Sequence, residues 1–144
     1  MAGMSEPMRA DQFEWPIRVY YEDSDAGGIV YHSQYLNFME RARTEWLRSL
    51  GFEQTELTAQ FGIIFVVRHI QIKFKKPARF NDAIVVRSRL ASMGRSRMVF
   101  EQAIFRDGQL ITEADVEVVC IEAVNYTPVT IPAPIQHSMK KMEQ

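Results

Sequence analysis

The sequence predicts an α+β fold, a five-stranded antiparallel sheet wrapped around one long central helix. Three features of the 144-residue chain predict it. A strand-like run, PIRVYY at 16–21, comes first. One long stretch at 33–50 then repeats its apolar residues with helical period. Four strand-like runs joined by tight turns follow, the pattern of an antiparallel sheet. A helix and a sheet that each have one apolar face bury both by packing together.

Over 16–21, Ile17, Val19 and Tyr21 alternate with Arg18 and Tyr20, the period of a half-buried strand. Over 33–50, Tyr35, Leu36, Met39, Ala42, Arg43, Trp46, Leu47 and Leu50 recur at three- and four-residue spacing and define a broad inward face. Ser33 is expected as the N-cap. Leu36 stands where a Glu or Gln would complete a capping box. Gly51 suits the left-handed residue just past the helix end. Glu40, Arg41, Glu45 and Arg48 fall on the outer face, where Glu45 can pair with Arg41 or Arg48. QTELTAQF (54–61) reads as a second, short helix.

The later strands are expected at 63–75, 83–93, 98–106 and 110–123. GRSR turns the chain at 94–97, and Asp107-Gly108 is a strong two-residue hairpin signal. Within 83–93, Val86, Ser88 and Leu90 share one face and Val85, Arg87 and Arg89 the other. Such a sheet has exposed edges, a liability often met by pairing with another subunit, so a homo-oligomer is expected from packing alone. Residues 1–13 read as a loose lead-in and 14–128 as a single domain. Residues 129–144, with breaks at Pro128, Pro132 and Pro134, read as a C-terminal tail.

Composition narrows the function. At 47% hydrophobic residues the chain can bury a proper core without staples. A net charge of −1 argues against a dedicated nucleic-acid binder. Cys120 is the only cysteine, so no intrachain disulfide or cysteine-based zinc site can form. Within VEVVCIEA it reads as a small buried hydrophobe rather than a nucleophile. The N-terminal MAGMSEPMRADQ lacks the apolar core of a secretory signal. No run approaches the ~18 apolar residues of a bilayer span, so the cytosol is the expected compartment. There, the sequon-like Asn125-Tyr126-Thr127 reads as chance.

The chemistry concentrates in Tyr20-Tyr21-Glu22-Asp23-Ser24-Asp25-Ala26-Gly27-Gly28-Ile29-Val30-Tyr31-His32, just ahead of the long helix. A calcium loop counted from Asp23 places Asp25 third and Gly28 sixth. Gly27 and Gln34 then occupy two ligand positions, and a strand precedes where a helix should. A transition-metal site could use Asp23, Asp25 and His32, but no spacing fixes their geometry. A solvated turn accounts for Glu22 and Asp23 facing water beside Arg18, and for glycines of unusual φ. The fourth reading is a working carboxylate beside a helix N-terminus. The first-turn amides and the helix dipole can polarise a carbonyl and hold an oxyanion. Glycines admit a substrate, and an Asp upstream attacks it or activates water.

This stretch, with Tyr35 and the run Glu40-Arg41-Ala42-Arg43-Thr44-Glu45, closely resembles the YbgC-type acyl-CoA thioesterases. These are associated with bacterial Tol-Pal genes and belong to the 4-hydroxybenzoyl-CoA thioesterase branch of the hotdog fold. The resemblance runs through Phe65-Val66-Val67-Arg68, Pro77-Ala78-Arg79 with Asp82, and Glu113 to Cys120, and covers roughly 14–125.

It implies an acyl-CoA hydrolase with Asp25 as nucleophile or general base. It places the backbone N–H of His32 at the thioester carbonyl, and the side chains of His32 and Tyr21 at the site. The competing reading for Tyr21 is a strand aromatic packed in the core, and for His32 a capping or turn histidine. Gly27 and Gly28 would let substrate approach. Lys75, Lys76 and Arg79 are candidates for the phosphates of coenzyme A, against the plainer reading of solvated charges on turns. A sister branch carries its catalytic Glu on the central helix. With the loop Asp present, Glu40 reads as a surface or interface group.

No metal or bound cofactor is implied, because coenzyme A is part of the substrate. The resemblance also implies a dimer or dimer of dimers, hence a homotetramer, with sites at the subunit interface. The expected location is the bacterial cytoplasm, including the inner-membrane periphery. The alternative from another class is a largely non-catalytic hotdog oligomer that binds acyl-carrier protein, phospholipid-synthesis enzymes or envelope partners. A hotdog dehydratase would need a different Asp and His arrangement, which the sequence lacks.

Overall fold

The computed structural model describes residues 11–142. In chain order these form β1 (Gln12–Arg18), a 3₁₀ turn (Tyr21–Asp23), α1 (His32–Ser49), α2 (Gln54–Phe61) and β2 (Ile63–Phe74). Then come β3 (Ala83–Met93), β4 (Arg97–Arg106), β5 (Gln109–Glu122) and α3 (Ala133–Lys140). The five strands make one sheet in the order β1-β3-β4-β5-β2, every neighbouring pair antiparallel.

The period-two pattern determines which sheet face meets the helix. Val86, Ser88 and Leu90 of β3, Met98, Phe100, Gln102 and Ile104 of β4, and Ala114, Val116 and Val118 of β5 are buried. Against them α1 buries Tyr35, Met39, Ala42, Trp46 and Leu47 of the expected stripe, with Leu36, Arg43 and Leu50 half-buried, and adds Phe38, which the expected stripe left out. The β4–β5 hairpin turns on Asp107 (φ 51°) and Gly108 (φ 76°), both positive as a type I′ turn requires. Cys120 is buried in β5, and burial pushes its thiol up to about 11.

Three expectations change. The first strand runs Gln12–Arg18 rather than 16–21, pairing with β3 from Gln12↔Arg89 to Arg18↔Ala83. Phe13 supplies the reason: it stacks on Trp46 of α1 at 6.0 Å, an anchor the alternation beyond Pro16 did not weigh. Residues 12 and 13 of the expected lead-in are therefore strand, and residues 1–10 lie outside those described.

At the other end, the stretch read as a tail carries α3, which buries Ile135 and Met139 after Ile131. Its prolines start the helix rather than break it. Pro132 is the N-cap and Pro134 lies in the first turn, where an N–H has no helical acceptor to lose. Third, Ser33 is not the N-cap. That position is Tyr31, and its side chain makes no capping hydrogen bond. Among the described residues no helix is long and apolar enough to cross a membrane.

Candidate active site

Two loops meet at the N-terminal end of α1. The first, 24–31, folds back on itself: Ser24 bridges Val30, and the Asp25 N–H donates to the Ile29 carbonyl at 2.9 Å. The Gly28 N–H returns to the Asp25 carbonyl at 3.0 Å. The two glycines serve different needs. Gly28 has φ +82°, a conformation costly to other residues. Gly27 donates its N–H to Asp25 Oδ1 at 2.8 Å, and an added Cβ there would lie 3.2 Å from that oxygen. This Asx turn uses one oxygen of an exposed carboxylate and leaves Oδ2 without a hydrogen-bond partner among the described residues.

The second loop, 75–82, is the platform. The Val30 N–H donates to the Ala78 carbonyl at 2.8 Å and the Phe80 N–H to the Gly28 carbonyl at 3.2 Å, with Ile29 bridging Arg79. The platform is itself pinned from behind. The buried Tyr35 hydroxyl accepts the Ala78 N–H at 3.0 Å, and burial raises its pKa. Asp82 Oδ2 accepts the Arg79 N–H at 2.8 Å and pairs with Arg106, which also donates to the Pro77 carbonyl.

The carboxylates of this stretch have separate jobs. Asp23 does not face water. It is buried, accepting the Tyr20 N–H at 2.9 Å and Gln34 Nε2 at 2.7 Å. It ties the end of the strand segment to the first turn of α1. The expected solvation beside Arg18 is corrected, because Arg18 instead donates to the Asn81 carbonyl. Asp25, two residues on, is exposed beside the glycines.

His32 is the first residue of α1 and exposed, its ring edge-on to Phe74 at 5.4 Å and to Tyr31 at 5.8 Å. Tyr21 is neither strand nor core. It sits in the 3₁₀ turn, 79% exposed, edge-on to Phe80 of the platform at 5.9 Å. Arg79 flanks the loop through its bridge to Ile29. Lys75 and Lys76 are exposed and send their N–H groups to the Ile111 carbonyl. Among the described residues no group of three or more His, Cys, Asp or Glu is placed to hold a metal ion.

Residues 27–113 match the family model described as the thioesterase superfamily. The chain belongs to that superfamily. Its sheet-wrapped helix is the hotdog fold. The chain is 42% identical over 135 residues to the acyl-CoA thioester hydrolase YbgC of Escherichia coli O6:H1, covering 93% of this chain and all of that one. It is 39% identical over 124 residues to the acyl-CoA thioesterase YbgC of Haemophilus influenzae, covering 86% and 91%. The crystal structure of a probable thioesterase from Bartonella henselae superposes with a TM-score of 0.81 at 35% identity, covering 84% and 99%.

The structure brings together the loop, its glycines and the start of α1 that the sequence singled out. The sequence did not show Gln34, the Tyr35 hydroxyl or the Asp82–Arg106 pair as supports, because each acts across the fold. The one available signal was the Pro77-Ala78-Arg79…Asp82 cluster, whose turn residues stand without a hairpin partner in sequence.

Proposed function

We propose that the protein hydrolyses acyl-CoA thioesters to a free acid and coenzyme A thiol, with Asp25 as the reacting carboxylate. The observation that carries this is the exposed Asp25 carboxylate, held through one oxygen by Gly27, beside a helix N-terminus with no side-chain cap. The thioester carbonyl lies against the first-turn N–H of His32, which takes the charge as the carbon becomes tetrahedral. Asp25 Oδ2 either adds to that carbon, giving an anhydride that water then opens, or removes a proton from a water that adds directly. In both routes the C–S bond breaks, and the thiolate leaves and takes up a proton.

Tyr21 and His32 flank the thioester, and Arg79, with Lys75 and Lys76, meets the phosphates of coenzyme A. The working unit is a two-fold dimer joined along β2. That edge has twelve residues, carries no proline and exposes Val67 and Phe74, whereas the other edge, β1, contains Pro16.

The test is thiol release from a panel of short, long and branched acyl-CoAs by wild type and Asp25→Asn. Turnover by wild type and its loss in the variant support the reading. Equal rates remove Asp25 from the chemistry. Folded oligomers that release no thiol from any acyl-CoA, yet retain acyl-carrier protein stoichiometrically, would replace hydrolysis with a binding role.

A further inference from the structure

A cavity of about 350 Å³ opens between the C-terminal half of α1 and the sheet at its β2 side. Leu47, Phe65, Met98 and Phe100 give it apolar walls, and Glu40 and Arg43 place charge in it. Arg43 lies on the inward stripe of α1, between the buried Met39, Ala42, Trp46 and Leu47, where a guanidinium is costly. One N–H of it donates to Gln102 Oε1 at 2.8 Å. Gln102 has no freedom to turn away, because its Nε2 donates to the Met39 carbonyl at 3.0 Å and to Ser88 Oγ at 2.9 Å. A buried glutamine locked on two sides thus holds an arginine in one place. Burial lowers the Arg43 pKa to about 10, against the opposing pull of Glu40, and leaves it a cation at neutral pH. A guanidinium has five N–H donors, and the Gln102 contact uses one.

Along α1, Arg43 is about 16 Å from His32 at about 1.5 Å of rise per residue, so the cavity and the loop of one protomer sit apart. Two-fold antiparallel pairing of β2 about its middle brings them together. It lays the Ile63 end of one strand against the Phe74 end of the other. Phe74 touches His32, and Phe65 lines the cavity, so each cavity then faces the other protomer's helix N-terminus.

We propose that this cavity receives the far end of the acyl group and that Arg43, with Glu40, selects acyl groups bearing a hydroxyl there. A hydroxyl accepts from the guanidinium and donates to the carboxylate at once. A terminal methyl leaves Arg43 unanswered, and a terminal carboxylate meets Glu40. This rests on the acyl-CoA hydrolase reading and adds its substrate class.

The experiment compares kcat/KM for matched aliphatic acyl-CoAs of four, six and eight carbons, ending in methyl, hydroxyl or carboxylate. At the length that fits, wild type favours hydroxyl over methyl by about tenfold or more, since a site built around a hydroxyl rejects the analogue lacking it. Arg43→Met brings that ratio close to one, and Glu40→Gln removes the handicap of the carboxylate. Turnover with flat ratios at every length in wild type overturns the proposal alone, whether or not Arg43→Met folds. A ratio that survives in folded Arg43→Met overturns it as well. No thiol release from any member overturns the hydrolase reading and this proposal together.

Discussion

The two ends of α1 are finished in opposite ways. At the C-terminal end the chain closes in a Schellman motif: the Gly51 N–H donates to the Arg48 carbonyl at 3.0 Å and the Phe52 N–H to the Leu47 carbonyl at 2.9 Å. The Ser49 hydroxyl donates to the Trp46 carbonyl, and Arg48 pairs with both Glu45 and Glu53. At the N-terminal end Tyr31 has the extended backbone of an N-cap but offers no side-chain oxygen to the first-turn amides. Ser, Thr, Asn or Asp there would contribute about 1 kcal/mol. The open end is also the end where Asp25 and two glycines converge. The Gln34 N–H turns back to the Tyr31 carbonyl at 2.9 Å, which leaves the His32 and Ser33 N–H groups open. A helix that satisfies its carbonyls this thoroughly and leaves those two amides free places its positive pole where negative charge must form.

The two loop carboxylates, Asp25 and Asp23, carry the largest expected effects. Asp25→Asn retains the Gly27 turn through its amide oxygen, so the thermal midpoint stays near wild type. Turnover drops by about 10²-fold or more, because an amide is neither base nor nucleophile. Asp23→Asn behaves in reverse at the level of stability. It weakens one of two buried contacts, to Tyr20 N–H or Gln34 Nε2, and costs about 1–3 kcal/mol by denaturant titration. If both variants lost stability alike, the division of labour between these two residues would be wrong.

Closing the open end should sharpen it. Tyr31→Asp supplies the missing cap and raises stability by about 1 kcal/mol. It also puts a negative charge where the oxyanion develops, so kcat falls by about tenfold or more, the electrostatic part of an oxyanion site. Tyr31→Asn caps without charge and should lose less activity. Steady-state kinetics beside thermal melts separate the two effects. A variant both more stable and fully active would mean that the helix terminus does not touch substrate.

At the closed end the expected effect is on stability alone. Gly51 sits at φ +96° with nothing within 4 Å of an added Cβ, so Gly51→Ala meets backbone strain without a clash. The loss is about 1–2 kcal/mol, read from denaturant unfolding, with kcat per folded molecule unchanged.

How much of this was legible in sequence follows from the range of the interactions. Most of the α1 stripe, the β4–β5 turn, Gly51 and the position of the acidic loop ahead of α1 are encoded by neighbours a few positions apart, and these appear where the spacing puts them. Phe13 stacks on Trp46 of α1, and Ile135 and Met139 are buried far along the chain from the helix they follow in sequence. Phe13 leaves no local period, whereas Ile135 and Met139 stand four apart at helical spacing, a signal that Pro128, Pro132 and Pro134 outweighed. Asp23 and Asp25 look interchangeable as letters. What separates them is Gln34 reaching back from the first turn of α1, a contact that exists only after the helix docks. The Asp82–Arg106 support of the platform is hidden for the same reason.

The smallest effect tests whether the closed end owes anything to charge. Arg48 bridges Glu45 in the last turn and Glu53 beyond it, and all three side chains reach solvent. Both carboxylates hold its proton more firmly, and a cation near a helix C-terminus is favoured by the dipole. Exposed pairs are nonetheless screened and spend side-chain entropy to form. Arg48→Ala should therefore lower the thermal midpoint slightly in dilute buffer. The gap to wild type should close near 1 M sodium chloride, where the screening length is about 3 Å. A gap that persisted in high salt would assign the contribution to the packing of the Arg48 stem over the helix end. The closure would then be steric and backbone-made, and the asymmetry of α1 would lie wholly in which end leaves its backbone groups open.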